Sequence, residues 1–172
     1  MPSPAYLTII GASQGLITKD AFSPESVGNV FQAPHRDEIL VQAFKQRVST
    51  PRDPQSGQPT GQRVHDVFEI IKVVDKASPL LMSAASTGEK LTRCELKVYR
   101  TSASGQQEHY LSYTLEDAII VDFRTEMADA RNTETSHLLP QDVLQLSYRK
   151  ITLAHIAGGT ETSDDWRAPP AV

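Results

Sequence analysis

Apolar and polar residues alternate with period two along most of the chain, the spacing expected of strands with two unlike faces. A first strand covers Ala5–Ile10 and stops at Gly11. From Ile39 to Val48, Leu40, Phe44 and Val48 share a face with Gln42 and Gln46, while Lys45 and Arg47 lie on the other. Val64–Val74 is richer, with Val67, Ile71 and Val73 on one face and Phe68 and Ile70 on the other. A strand apolar on both faces is packed on both, within the fold or against another subunit, so these five residues are the candidates for a subunit contact. Leu91–Arg100 sets Thr92, Cys94, Leu96 and Val98 against Arg93, Glu95 and Lys97. A long β pattern from Glu108 to Met127 is interrupted near Glu116-Asp117, which divides it into two strands. The last strand is Val143–Leu153, where Leu144, Leu146 and Tyr148 oppose Gln145, Ser147 and Arg149.

The spacing predicts a helix from Ser78 to about Thr87: Ser78 caps it, Pro79 sits in the first turn and Gly88 stops it. Its apolar face, Leu80, Leu81, Ala84 and Ala85, suits the end or side of a barrel. Ser23-Pro24-Glu25 is a weaker start of a second, short helix. Many strands against one helix predict a mainly β fold, a closed antiparallel β-barrel with one flanking α-helix.

Two segments depart from the pattern. Ser49–Arg63 carries three prolines, two glycines and no large apolar residue, a connection long enough to suggest a function of its own. After residues 1–157, the barrel domain, residues 158–172 form a polar C-terminal tail, mobile unless Trp166 docks.

A length of 172 residues fits one domain with a proper core. Seventeen Lys+Arg against 21 Asp+Glu give a net charge of −4, which argues against binding to nucleic acid or an anionic membrane by bulk charge. The one cysteine, Cys94, forms no internal disulfide and reads as a small buried filler. No apolar run approaches a membrane span, and Met-Pro-Ser-Pro-Ala-Tyr is no secretory signal. The expectation is a soluble product made in the cytoplasm and, if exported, by a route that reads no cleavable signal. The five histidines lack metal-ligand spacing, and neither Gly57–Gly61 nor Thr87–Lys90 is a phosphate loop. With no Gly-x-Ser-x-Gly either, no metal, cofactor or catalytic group is assigned, and an enzyme is not expected.

Further motifs carry a family likeness. They run in order: Gln14-Gly15-Leu16-Ile17-Thr18, Asp37 to Gln42, Pro54 to His65, Lys76 to Leu81, Gly88 to Leu91, Tyr99-Arg100-Thr101, Leu146 to Thr152 and Ser163-Asp164-Asp165-Trp166-Arg167. Across essentially the whole chain this resembles the haemolysin-coregulated proteins, Hcp, although Met127–Gln141 carries no shared motif. The resemblance implies a β-barrel related to phage tail-tube proteins and no enzyme. It implies hexameric rings stacked into the inner tube of a type VI secretion system, inside a contractile sheath and under a VgrG-type spike. Small effectors in the lumen, and export without a signal peptide to the extracellular space or a target cell, are implied as well.

A ring needs a heterologous interface, hence two different adhesive sides on each subunit. Stacking of one ring on the next is assigned to the long loop, through Arg52, Asp53, Gln55, Gln58, Gln62 and Arg63. The competing readings are a phage tail-tube-type structural protein, a monomeric β-barrel binding module and a small hydrolase or isomerase. The last would need a pocket with perturbed acid and base groups.

Overall fold

The computed structural model describes residues 3–168. In chain order the elements are β1 (Ala5–Gly11), β2 (Gly15–Leu16), α1 (Pro24–Val27), β3 (Ile39–Lys45), β4 (Val48–Ser49) and β5 (Val64–His65). They continue with β6 (Phe68–Val73), α2 (Ser78–Thr87), β7 (Leu91–Thr101), β8 (Gln107–Glu126), β9 (Gln141–Ser147), β10 (Lys150–His155) and β11 (Thr160–Asp165).

Alternation decides which side of each strand is dry, and pairing decides how the strands close. The main sheet runs β8–β7–β1–β3–β6–β9, every pair antiparallel, and β9 then pairs with β8 again, so the sheet meets itself. Closure depends on the length of β8: Gln107–Ala118 pairs with β7, while Ile119–Glu126 pairs with β9. The break expected at Glu116-Asp117 is a bend within one strand. Asp117 takes φ 51°, and the change of phase there leaves Leu115, Ala118 and Ile120 all buried. β10 pairs with the first part of β8, outside the closed ring, and β11 extends that wing.

The interior is filled by Leu7 and Ile9 of β1, Ile39 of β3, Phe68 and Ile70 of β6, Cys94 and Leu96 of β7, and Leu144 and Leu146 of β9, with Leu81 and Ala84 of α2 against them. Burial pushes the Cys94 thiol up to about 12, so at neutral pH it stays protonated and serves as packing volume.

Several boundaries differ from the sequence reading. The strand expected to reach Val48 ends at Lys45, and its dry residues are Ile39 and Val41, not Leu40. A bulge between Val41 and Ala43 then changes the alternation and brings Phe44 onto Phe68, ring centroids 5.9 Å apart. Val64–Val74 is two strands separated by Asp66-Val67, and Val143–Leu153 breaks at Tyr148-Arg149. Helix α2 has the expected span, but Ser78 is its first residue and not its cap. The Ala77 amide donates to Asp75 Oδ1 (2.9 Å), and Leu80 faces outward. Gly88 ends the helix at φ 67°, as a residue without Cβ does at no steric cost.

The polar tail after residue 157, expected to be mobile unless Trp166 docks, continues the sheet: β11 pairs residue for residue with β10, from Lys150 opposite Asp165 to His155 opposite Thr160. A polar strand can join an edge because backbone groups, not side chains, make the ladder. Residues 169–172 of that tail lie outside the described residues.

Candidate assembly surfaces and the residues that hold them

At one end of the barrel the core face of β6 reads Phe68, Ile70, Lys72, so strict alternation carries an ammonium group into the interior. Lys72 is fully buried. Its Nζ donates to Asp75 Oδ1 (2.9 Å), the Val73 carbonyl (3.0 Å) and Ser78 Oγ (3.0 Å), and lies 2.9 Å from Asp142 Oδ2. Ser78 Oγ also accepts the Asp75 amide (3.1 Å) and donates to Asp142, while Thr125 Oγ1 donates to Asp142 Oδ1 (2.7 Å). Every lone pair and proton of the Ser78 hydroxyl is therefore used. Burial would raise the Asp142 pKa, but the hydrogen bonds of Ser78, Thr125 and Lys72 and the ammonium charge hold it below the ordinary value. For Asp75 burial prevails over Lys72, and its pKa is raised. The cluster ties β6, β8, β9 and the start of α2 together. Among the described residues no group of three or more His, Cys, Asp or Glu is placed to hold an ion.

The long loop is a folded arm. β4 and β5 form a two-pair ribbon at its base, Val48 opposite His65 and Ser49 opposite Val64, and further out Arg52 bridges Pro59. Asp53 builds the tip: its carboxylate accepts from the Gln55 amide (2.9 Å) and Ser56 Oγ (2.9 Å), and its own amide donates to the Gln58 carbonyl (2.9 Å). Arg52, Gln55, Gln58 and Gln62 are exposed, so of the six loop residues these four remain free to touch a neighbour. Arg63 does not. Its guanidinium donates from Nε (2.6 Å) and Nη2 (2.7 Å) to Asp164, and also to the carbonyls of Asp165 (3.2 Å) and Ala168 (3.1 Å).

Beside that fork, His65 lies 2.7 Å from Asp164 through Nε2 and 2.8 Å from the Tyr148 hydroxyl through Nδ1, with its side chain 2% exposed. Trp166 stacks on the His65 ring at 6.0 Å and donates its indole N–H to the Tyr148 carbonyl. Arg149 holds the adjacent Asp165 and donates to Asp117 Oδ2 (2.8 Å). The hydrogen bond from Arg63 holds the Asp164 carboxyl below its ordinary value; desolvation opposes this, and His65 adds to it. A carboxyl with a lowered folded pKa contributes stability above its ordinary value, about 3.8, and loses it as pH falls through the lowered one. Asp117, lowered chiefly by its bond from Arg149, acts in the same direction. Trp166 is the one tryptophan, so its emission reports this docking. On acidification below the ordinary aspartate range we expect a red shift before the far-ultraviolet β signal is lost; the two changing together would contradict this.

The five candidates for a subunit contact are divided by the structure. Phe68 and Ile70 are 1% and 0% exposed inside their own barrel, and Val73 is buried at 7%, so they are removed from a neighbour's reach. Alternation separates Phe68 and Ile70 inside from Ile71 outside, but Val73, expected on the face of Ile71, is buried as well. Val67 remains exposed and Ile71 half-buried. Across the sheet Phe68 pairs with Leu146 and Ser147 with Ile119, so Val67, one residue before β6, comes beside Ser147, with Ile119 on the far side of Ser147 and Val121 two residues along β8. Val67, Ile119 and Val121 are 37%, 41% and 50% exposed, an aliphatic strip on the outer wall. From sequence Ile119 and Val121 read only as apolar positions of the long β pattern, not as contact residues; Ile119-Ile120-Val121 is apolar on both faces, and the structure turns Ile120 inward.

The closed antiparallel ring of strands thus carries a projecting arm and an exposed aliphatic strip. A family model described as "Type VI secretion system effector, Hcp" matches residues 6–155, and the chain belongs to that family. It is 53% identical over 171 residues, 99% of both chains, to the "Major exported protein" of Pseudomonas aeruginosa. A crystal structure of an Hcp protein superposes with a TM-score of 0.93 at 40% identity, over 98% of this chain and 100% of that one. The secreted protein Hcp3 of Pseudomonas aeruginosa gives 0.83 at 46% identity, over 97% and 100%. The chain is thus a tube protein of a type VI secretion system, from a structural and exported family. No helix among the described residues is long and apolar enough to cross a membrane.

Proposed function

We propose that six copies of the chain close into a ring and that rings stack into the tube expelled by the type VI machine. In this assembly the tube lies inside a contractile sheath and under a VgrG-type spike, and small effectors travel in the lumen. The chain performs no catalysis, and the contractile machine exports it without a signal peptide. What supports the stacking is the arm, a folded projection whose exposed Arg52, Gln55, Gln58 and Gln62 are not spent on the fold of their own subunit. The aliphatic strip of Val67, Ile119 and Val121 supplies one side of the contact within a ring. Scattered surface aliphatics are ordinary, but a cross-strand group of them favours a covered surface.

Energetics suit this division. An exposed polar contact contributes about 0–1 kcal/mol, so a single arm holds the next ring poorly. Six arms at about 1–1.5 kcal/mol each sum to roughly 6–9 kcal/mol, on the order of micromolar affinity. Such stacking comes apart once the tube leaves the sheath. The test is light scattering and negative-stain imaging of purified protein, where the expected particle is a six-fold annulus with the mass of a hexamer of 18.9 kDa subunits. Arg52→Glu with Gln58→Glu is expected to keep that mass while tubes shorten and secretion falls. A monomer at every concentration of the unaltered protein overturns the ring; monomers only in the double variant overturn the assignment of the arm to stacking.

A further inference from the structure

The arm has little to stand on by itself. Its base is a ribbon of two residue pairs, and an isolated two-stranded ribbon is marginal in water. On the outgoing limb, Arg47 reaches Asp66 at 3.5 Å, both side chains well exposed, which is a weak restraint. The returning limb is different: Arg63 and His65, two residues apart, both end on the one carboxylate of Asp164, and Trp166 closes over His65. The strand that brings Asp164 there offers little else, since Thr160 to Ser163 are exposed.

We infer that Asp164 and Trp166 are positioning residues for the arm: the C-terminal strand is a clasp that sets the angle at which Arg52, Gln55 and Gln58 are presented to the next ring. Two parallel N–H···O bonds from a guanidinium fix orientation as well as distance, which a single exposed ion pair does not. The indole covers the His65 ring, whose side chain is 2% exposed, and so fixes the imidazole that shares the half-exposed carboxylate with Arg63. The clasp therefore connects the end of the chain to the arm across about a hundred residues of sequence, Arg63 to Asp164 being 101 apart. Its consequence for stacking rests on the proposed role of the arm.

Hydrogen exchange read by mass spectrometry on the assembled protein separates the two. In Asp164→Ala, and independently in Trp166→Ala, amides of residues 47–66 and 160–166 should lose protection while β1, β6 and β7 keep theirs. Exchanging the partners, Arg63→Asp with Asp164→Arg, should restore part of the lost protection, which general loosening of the fold would not allow. Tube length should fall and recover with it. Unchanged exchange in the arm for both single variants overturns the clasp, as does exchange rising equally throughout the barrel. Loss of arm protection with tubes of normal length leaves the clasp standing and overturns the arm's role in stacking.

Discussion

Lys72→Met is expected to destabilise the subunit by about 3–5 kcal/mol, the range found when one partner of a buried ion pair is removed. The side chains are similar in length, so the loss is not one of volume. Without the ammonium group, Asp75 and Asp142 face each other around Ser78 in a site from which water is excluded, and at least one must take up a proton or drag water inward. Chemical denaturation at neutral pH measures the effect, and the deficit should shrink on acidification, because protonating the stranded carboxylates removes the uncompensated charge. In the unaltered protein the two carboxyls act with opposite sign. Asp142, lowered, stabilises above the ordinary aspartate value and loses that contribution as pH falls through its folded pKa. Asp75, raised, contributes stability below its ordinary value, lost as pH rises through its folded pKa. A Lys72→Met variant as stable as the parent at pH 7 would show that the cluster is not held by its charge.

Val67→Asp with Ile119→Asp is expected to take rings apart while leaving the barrel folded. Both side chains stand on the outer wall, 37% and 41% exposed, so in the free subunit a carboxylate at either place remains hydrated. In a ring each contact would bury two charges with nothing placed to receive them. At about 2 kcal/mol or more for each, the two together weaken association on the order of a thousandfold. Mass by light scattering should fall to that of the subunit, with thermal unfolding of the barrel close to the parent's. Hexamers persisting in the variant would move the ring contact away from this strip. Retained hexamers with altered cargo would make the strip part of the lumen wall instead.

The two cases differ in how visible they were along the chain. Lys72 sits between Ile71 and Val73, where a charged residue reads as the wet side of a strand. Counting by twos from Phe68 and Ile70 puts it on the dry side, but a lone lysine gives no hint of the partners that make burial tolerable. Asp142 arrives from a strand 70 residues later, and Asp75 and Ser78 come from the turn into α2. Arg63 read as one more polar residue of a loop for a related reason. Its partner Asp164 lies near the opposite end of the sequence, and β11, being polar throughout, lacks the alternation by which the other strands were recognised. The aliphatic strip fell between the two: Val67 was visible as one of the apolar residues on both faces of its segment, while its nearness to Ile119 exists only because β9 stands between β6 and β8.

What the amino-acid order determined by itself is local and periodic. It set the strand-rich character, the span of α2 between Ala77 and Gly88, the absence of large apolar residues from Ser49 to Arg63, and the family motifs. These follow from alternation, capping and turn chemistry within a few residues. Tertiary structure alone decided which face of β6 is inside, that β8 closes the sheet onto β9, that Lys72 is neutralised in the core, and that β11 meets Arg63 and His65. Each of these depends on pairings between residues far apart in the chain, and a two-residue period states that a strand has two sides without stating which of them meets water.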